Sequence, residues 1–183
     1  MDFRQFTSPT ELHNWASSVY SQNALDKFNL NKQSICSPLS YYAGSFSAQI
    51  NHFLRRGILE SPHFHHEVLQ NDLLQCVVPE NIVVYRFLNG RELLRWRINT
   101  CFGRKYVNSG FVSTTFLPHL FNGQSRSAGF VVKIFVPKGT YGMYITELSD
   151  APVKEYEFLI PHHSSFVRRG GSCFELTSFN SSR

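Results

Sequence analysis

The stretch Pro79-Glu80-Asn81-Ile82-Val83-Val84-Tyr85-Arg86-Phe87 divides the chain into two parts with different patterns. Its last six residues form a short, mostly apolar run after a proline and a polar pair, which is typical of a buried strand. Before this stretch apolar residues recur at helical spacing, and after it short apolar runs are separated by glycine and proline. The stretch therefore marks a change from helices to strands, which predicts an α+β fold.

Helix starts with one shared signature precede residue 80. Ser8-Pro9, Ser37-Pro38 and Ser61-Pro62 each place a serine cap before a proline at the first helical position. In the first of these, Glu11 also completes a capping box with Ser8. An apolar stripe at three- and four-residue spacing follows each start, so we expect these helices to pack against the sheet.

The strands predicted after residue 80 are short and lie between turn residues. They cover residues 82–87, 110–116, 130–136, 141–145, 156–160, 166–168 and 174–179, with a short helix at 91–98. Short strands after a helical half favour an antiparallel arrangement. We therefore expect N-terminal helices packed on a two-sheet antiparallel β-sandwich.

Composition favours one globular domain over residues 1–183, since 42% of the residues are hydrophobic and 15% are aromatic. The net charge of +5 suits a phosphate-bearing or acidic partner, or serves solubility alone. Without a long Lys/Arg block, nucleic acid is an unlikely partner. The start of the chain lacks a signal-peptide core, and no apolar run approaches membrane-spanning length, so we expect no membrane partner.

Cysteine and histidine placement does not indicate a metal site. Cys36, Cys76, Cys101 and Cys173 are far apart in sequence and form no Cys-x-x-Cys pair. Buried free thiols in a reducing compartment are the favoured interpretation, with two disulfides as the alternative. The histidines are scattered, and their spacing does not favour zinc.

Short segments in the second half carry residues that could do chemistry. Arg86 lies inside an apolar strand, where a guanidinium either pairs with a core carboxylate or awaits an anionic ligand. Glu155 and Glu157 lie two apart on a predicted strand and would share a face, either as a reactive pair or as a solvated edge. Ser113 either is an ordinary strand hydroxyl or orients a carboxylate.

The order of these segments resembles the R-S-E class of mono-ADP-ribosyltransferases, which includes cholera-toxin-like and clostridial binary-toxin-like enzymes. Gly-Phe-Val-Ser-Thr-Thr at 110–115 looks like the family's G-F-x-S-T-S, and Glu-Tyr-Glu-Phe-Leu-Ile-Pro at 155–161 looks like its E-x-E-[VF]-L-[LI]-P. Ile-Asn-His-Phe-Leu-Arg-Arg-Gly at 50–57 looks like its I-N-x-x-L-R-x-G. Two positions depart from the pattern, because Phe87 stands where glycine is usual and Thr115 where serine is usual.

The resemblance implies a split two-sheet fold with NAD, the substrate, between the sheets, and no metal. It implies that Arg86 holds the NAD phosphates, that Ser113 positions Glu157, and that Glu157 stabilises the oxocarbenium-like transition state. It implies that Glu155 recognises and deprotonates the acceptor. The loop at 116–129 would cover the nicotinamide, and the loop at 146–154 would recognise the substrate protein. Further NAD contacts are expected from Phe87, Thr114, Thr115 and Phe121.

The function implied is mono-ADP-ribosylation of a host protein by a bacterial toxin or effector, with arginine as the acceptor because the first motif glutamate is Glu155. A specialised bacterial system would secrete it, and it would act in the host cytosol. The alternatives are transfer to a serine or threonine hydroxyl, NAD glycohydrolysis, and a catalytically dead protein-binding module. Because Arg86, Ser113 and Glu157 are all present, the sequence disfavours the dead module.

Overall fold

The structure is a computed structural model that describes residues 2–19, 42, 47–56, 66–120, 129–145 and 156–179. Its helices are α1 (Pro9–Val19), α2 (Ser47–Arg56), α3 (His66–Leu73) and α4 (Gly90–Asn99), and a 3-10 turn follows at Cys101–Gly103. Its strands are β1 (Ile82–Leu88), β2 (Tyr106–Asn108), β3 (Val112–Thr115), β4 (Phe130–Val136), β5 (Met143–Tyr144), β6 (Glu157–Ile160), β7 (Ser164–Gly170) and β8 (Cys173–Phe179). The mixed α+β fold is confirmed.

The start of α1 is the one predicted from its serine cap. The Ser8 hydroxyl accepts a hydrogen bond from the Glu11 amide at 3.2 Å, which satisfies a backbone donor of the first turn. The Glu11 carboxylate in turn accepts from the Thr7 amide at 3.2 Å, one residue before the cap. The serine caps predicted at residues 37 and 61 lie outside the described residues.

The predicted division into two sheets is not confirmed, because hydrogen bonds join all eight strands into one sheet. The strand order is β2-β7-β8-β4-β1-β3-β6-β5. One junction in this sheet is narrow: within the described residues, β1 pairs with β3 at Tyr85↔Thr115 alone. On its other side β1 pairs with β4 along its whole length, from Ile82↔Val136 to Leu88↔Phe130. We call the narrow junction between β1 and β3 the seam.

The sheet bends strongly, because the chain passes from β6 to β7 in three residues. In the strand order these two strands are five positions apart, which would separate them by about 24 Å in a flat sheet. The four Cα steps from Ile160 to Ser164 span at most about 15 Å. The two halves of the sheet on either side of the seam must therefore curve towards each other.

One strand pair departs from the predicted antiparallel sheet. β4 and β8 run parallel, with Lys133 opposite Cys173 and Phe135 opposite Glu175. The chain enters β7 in the direction in which it left β6, and the β7–β8 hairpin then returns alongside β4. The parallel pairing of β4 and β8 follows from the direct connection between β6 and β7. Residue spacing in the sequence does not predict that connection.

Among the described residues, aromatic rings pack together on both halves of the sheet. On the β3–β6 half, Phe116 packs edge-on against Trp15 of α1 at 5.5 Å and against Phe158 at 5.3 Å. On the other half, Trp96 of α4 contacts three rings at 4.8–5.3 Å, those of Tyr106, Phe166 and Phe174. The ring-rich core expected from the composition is present in both halves.

Candidate functional site

Paired residues cross the seam in one row. Tyr85 of β1 pairs with Thr115 of β3, and Thr115 also pairs with Glu157, the first residue of β6. Residues paired across adjacent strands point to the same side of a sheet, as do residues two apart on one strand. Ser113, two residues before Thr115, therefore shares a face with Glu157. The structure brings these two predicted site residues together.

Arg86 lies at the point where the β1–β3 pairing ends. Its side chain is 15% exposed, and Nη1 donates a 2.7 Å hydrogen bond to the carbonyl oxygen of Ser113. Nη2 lies 3.9 Å from Glu92 Oε1, at the limit of an ion pair. Nε is buried and has no partner among the described residues. Burial lowers the pKa of Arg86, against the opposing charge of Glu92, but a guanidinium remains charged in proteins.

Tyr42 lies close enough to Glu157 and to Arg86 for both charges to affect its pKa. It is 1% exposed, and its hydroxyl oxygen accepts a 2.9 Å hydrogen bond from Asn51 Nδ2. Burial raises the pKa of Tyr42, and the negative charge of Glu157 raises it further, while the positive charges of Arg86 and Arg55 act in the opposite direction. The phenol therefore stays protonated, and its pKa responds to charges from both β1 and β6.

Helix α2 packs closely against Gly110, just before the start of β3. A Cβ at Gly110 would lie 2.6 Å from Asn51 Oδ1 and 3.2 Å from Arg55 Nε, so glycine permits this contact. Asn51 Oδ1 is buried without a partner among the described residues. Asn51 and Arg55 belong to the motif at 50–57 but have no predicted role, and Tyr42 fits the apolar stripe predicted after Ser37-Pro38. A polar pair four residues apart on one helix face was the signal that could have found them.

The three consecutive hydroxyl residues of β3 have different surroundings. Thr114 is 4% exposed and donates a 2.6 Å hydrogen bond to the carbonyl oxygen of Phe158. Thr115 is 3% exposed, and its hydroxyl oxygen accepts from the Leu117 amide at 3.2 Å. Ser113 is half-buried. Among the three, Ser113 is the hydroxyl best placed to meet a ligand, and burial favours structural roles for the two threonines.

The prediction of a strand over residues 156–160 is wrong at its first residue. Tyr156 has φ 49°, a left-handed conformation, and β6 begins only at Glu157. Strand alternation therefore cannot be used to place Glu155 and Glu157 on one face. The amide of Phe116 donates to the carbonyl oxygen of Tyr156 at 3.0 Å, which holds this bend against the end of β3. Glu155 itself lies outside the described residues.

The remaining predicted contacts are only partly within the described residues. Phe87 is half-buried on β1 and pairs with Val131 of β4. Phe121 lies outside the described residues, as do most of the loop at 116–129 and the loop at 146–154. Their expected contacts with nicotinamide and substrate stay predictions.

Three of the eight histidines, which are scattered in the sequence, meet in one cluster at the β6–β7 connection. His162 Nδ1 lies 2.7 Å from His163 Nδ1, and the His162 ring is 6.2 Å from that of His66 in α3. Gln70 of α3 exchanges two hydrogen bonds with the backbone of His162, at 3.1 and 3.2 Å. Among the described residues, no group of three or more His, Cys, Asp or Glu could hold a metal ion.

The cysteines that the structure describes are free thiols. Cys76 is buried, whereas Cys101 and Cys173 are half-buried. Burial, with a smaller effect from the charge of Asp72, raises the pKa of Cys76 to about 11. The prediction of a buried free thiol is thus confirmed for Cys76, while Cys36 lies outside the described residues.

Comparison with known proteins finds a family model that matches most of the chain. Residues 13–169 match the model of the ADP-ribosyltransferase exoenzyme family. No curated protein sequence matches the chain. The fold resembles that of an ADP-ribosyltransferase from Clostridium botulinum, with TM-score 0.70, 19% identity, and coverage of 97% of this chain and 98% of that one.

Two further solved structures share the fold. A protein from S. aureus, solved with NAD, has TM-score 0.65 and 20% identity, and the match covers 97% of each chain. An ADP-ribosylating toxin that belongs to a binary enterotoxin of C. perfringens, solved with NADH, has TM-score 0.72 and 17% identity. That match covers 97% of this chain and 50% of the toxin chain. At these identities the likeness concerns the fold.

Proposed function

The chain belongs to the ADP-ribosyltransferase exoenzyme family, and we propose that it is a mono-ADP-ribosyltransferase of the R-S-E class with Arg86, Ser113 and Glu157 as its motif residues. NAD is the substrate of this enzyme. The observation that supports the assignment is the contact of Arg86 with β3, because its Nη1 donates to the carbonyl oxygen of Ser113. Ser113 in turn shares a face with Glu157 of β6.

NAD would lie along the seam, with its phosphates against Arg86. That side chain is a buried cation whose Nε lacks a partner among the described residues, and its nearest carboxylate is 3.9 Å away. A planar guanidinium with donors to spare suits a diphosphate. Arg55 and the buried Asn51 Oδ1 lie beside Gly110 at the same end of β3 and offer a second cation and a polar acceptor. The narrow seam, in this proposal, serves to admit the dinucleotide.

Glu157 would stabilise positive charge on the ribose as nicotinamide leaves. Its carboxylate is half-buried and shares a face with Ser113, which would hold its orientation. Charge that develops in the transition state is stabilised best by a fixed group of opposite sign. The negative charge of Glu157 raises the pKa of the buried Tyr42, so this carboxylate lies near the buried phenol.

Glu157→Gln tests this role. We expect both NAD hydrolysis and transfer to fall about a hundredfold or more, since a main transition-state contact is lost. The amide keeps the shape of the side chain, so the thermal midpoint should change little. Glu80→Gln is the matched control, because Glu80 is an exposed carboxylate paired with Arg4 at the other end of β1. Near-normal turnover in folded Glu157→Gln contradicts the assignment.

Arginine is the proposed acceptor, and Glu155 the residue that selects it. The support is the glutamate at the first position of the motif, since a carboxylate can pair with a guanidinium and accept its proton. Glu155→Gln should therefore reduce transfer to protein far more than it reduces NAD hydrolysis. The measurement is release of nicotinamide and labelling of protein from the same reaction. If both rates fall together, the two glutamates do not have divided roles.

A bacterial toxin or effector that acts on a host protein in the cytosol is the proposed setting, with residues 1–183 as its catalytic domain. Mass spectrometry of host-cell lysate incubated with labelled NAD identifies the acceptor. Label on arginine supports the proposal. Label on serine or threonine contradicts arginine as the acceptor, while the assignment as a transferase stands. NAD turnover without any labelled protein favours a glycohydrolase.

A further inference from the structure

Helix α4 is apolar on two opposite faces. Its inward face carries Leu93 and Trp96, which are 4% and 3% exposed. Its outward face carries Leu94 and Ile98, which lie one helical turn apart and are 58% and 59% exposed. Packing within the molecule explains the inward face alone. Leu94 and Ile98 therefore expose two large aliphatic side chains to solvent on one side of the helix.

The turn directly after α4 carries a phenylalanine in an unfavourable conformation. Phe102 has φ 56° and ψ 33°, Gly103 has φ 73°, and the Arg104 amide donates to the carbonyl oxygen of Cys101 at 3.2 Å. This is the geometry of a type I′ turn, in which asparagine, aspartate or glycine is preferred at the position of Phe102. Phe102 is nevertheless 100% exposed. Neither local conformation nor burial in this chain accounts for an aromatic residue here.

Positive charge surrounds these apolar side chains. Arg91 and Arg95 are exposed on the outward face of α4, and Arg104 and Lys105 are exposed directly after Phe102. The stretch from residue 90 to 107 contains one acidic residue, Glu92. Its side chain is turned towards Arg86 on the other side of the helix, at 3.9 Å. The outward surface thus combines exposed cations with a protruding aromatic tip.

We propose that this surface docks the protein on an anionic lipid bilayer. The docking face is defined by Leu94, Ile98 and Phe102 together with Arg91, Arg95, Arg104 and Lys105. Basic residues are attracted to anionic headgroups, and apolar side chains that protrude among them enter the headgroup boundary. The exposed cations on this surface complement anionic headgroups, and this complementarity favours a bilayer as the occupant. Docking of this kind is independent of the function proposed for the seam.

Surface docking requires no spanning segment. Among the described helices, none is long and apolar enough to cross a membrane. The expectation that the protein has no membrane partner was drawn from the absence of spanning runs, and it does not address a peripheral surface. Since Glu92 on the same helix faces Arg86, docking through α4 would hold the seam close to the bilayer.

Vesicle binding measures the proposed docking directly. The intact protein should sediment with vesicles of phosphatidylcholine mixed with phosphatidylserine, and much less with phosphatidylcholine alone. Phe102→Asn should weaken this binding about tenfold or more, since an aromatic ring no longer enters the boundary. Asparagine suits the type I′ turn, so the variant should melt at or above the temperature of the parent. Loss of binding in Phe102→Asn is then not a loss of folding.

Charge and insertion are tested by separate variants. Lys105→Ser should weaken binding about fivefold, whereas Lys138→Ser, which removes an exposed lysine from the turn after β4, should have little effect. In Phe102→Trp, tryptophan emission should shift to the blue on addition of anionic vesicles, because the native Trp15 and Trp96 are buried. Equal binding by Phe102→Asn and the parent overturns the proposal. So does binding of soluble polyglutamate, through these same residues, by a protein that ignores vesicles.

Discussion

At the scale of single residues, Arg86 has a structural role beside the ligand-binding role that we propose for it. Beyond the pair Tyr85↔Thr115, its Nη1 supplies the hydrogen bond that the carbonyl oxygen of Ser113 would otherwise take from a neighbouring strand. Its Nε is buried without a partner among the described residues. Because a buried unsatisfied donor is costly, the free enzyme carries a cost that a bound phosphate would relieve.

Arg86→Ala should therefore weaken NAD binding and also lower the free energy of unfolding. We expect about 1–3 kcal/mol of lost stability, since the Ser113 carbonyl loses a charged donor. Arg86→Lys should recover part of the stability and less of the affinity, because lysine lacks the planar fork. Urea unfolding and calorimetric titration with NAD separate the two effects. Unchanged NAD affinity in folded Arg86→Ala would make Arg86 a purely structural residue.

The resemblance to a family predicted the motif positions but not their neighbours. Taken one at a time, Arg86, Ser113 and Glu157 also fit ordinary structural roles, and only the order of their segments along the chain distinguished them. Tyr42 could not be found this way, because a buried tyrosine in a helical stripe resembles any core residue. Its nearness to Glu157 and Arg86 is a tertiary property, which local spacing does not predict.

At the scale of elements, the approach of α2 to β3 depends on Gly110. Gly110→Ala should weaken NAD binding and cost about 1–3 kcal/mol of stability, because the new Cβ would press on Asn51 Oδ1 and break the Asn51–Tyr42 hydrogen bond. A double-mutant cycle with Asn51→Ala measures the effect. In the Asn51→Ala background, Gly110→Ala should cost much less. Additive losses would show that the two residues do not press on each other.

Among the strands, local pattern predicted the long and regular ones best. β4 at Phe130–Val136 has the predicted bounds, because its seven residues are almost wholly apolar and β-branched or aromatic. β2 at Tyr106–Asn108 was missed, since three residues carry no periodicity. The left-handed Tyr156 was missed too, because nothing in its residue type favours positive φ. The single sheet and the parallel pairing of β4 with β8 depend on contacts between strands that are far apart in sequence, so local pattern does not predict them.

At the scale of the whole molecule, the histidine cluster connects the two halves of the sheet. Burial lowers the pKa of His162 from 6.5 to about 4, helped by His163 and His66. The unfolded chain therefore binds a proton more readily than the folded one, so stability is lost as pH falls from about 6.5 towards 4. His162→Gln should show a shallower loss than the parent in urea unfolding at neutral pH and at about pH 4.5. His52→Gln, at an exposed position of α2, serves as the control and should follow the parent.

The narrow seam has a mechanical consequence for the molecule. Aromatic rings pack together on each half of the sheet, while the described strands between the halves share the single pair Tyr85↔Thr115. Rotation of one half against the other about this pair would disturb few hydrogen bonds between strands. The shared hydrophobic core and the β6–β7 connection limit such a rotation to a small amplitude. A dinucleotide bound to both halves would restrain this motion, so the rigidity of the enzyme would depend on the NAD concentration.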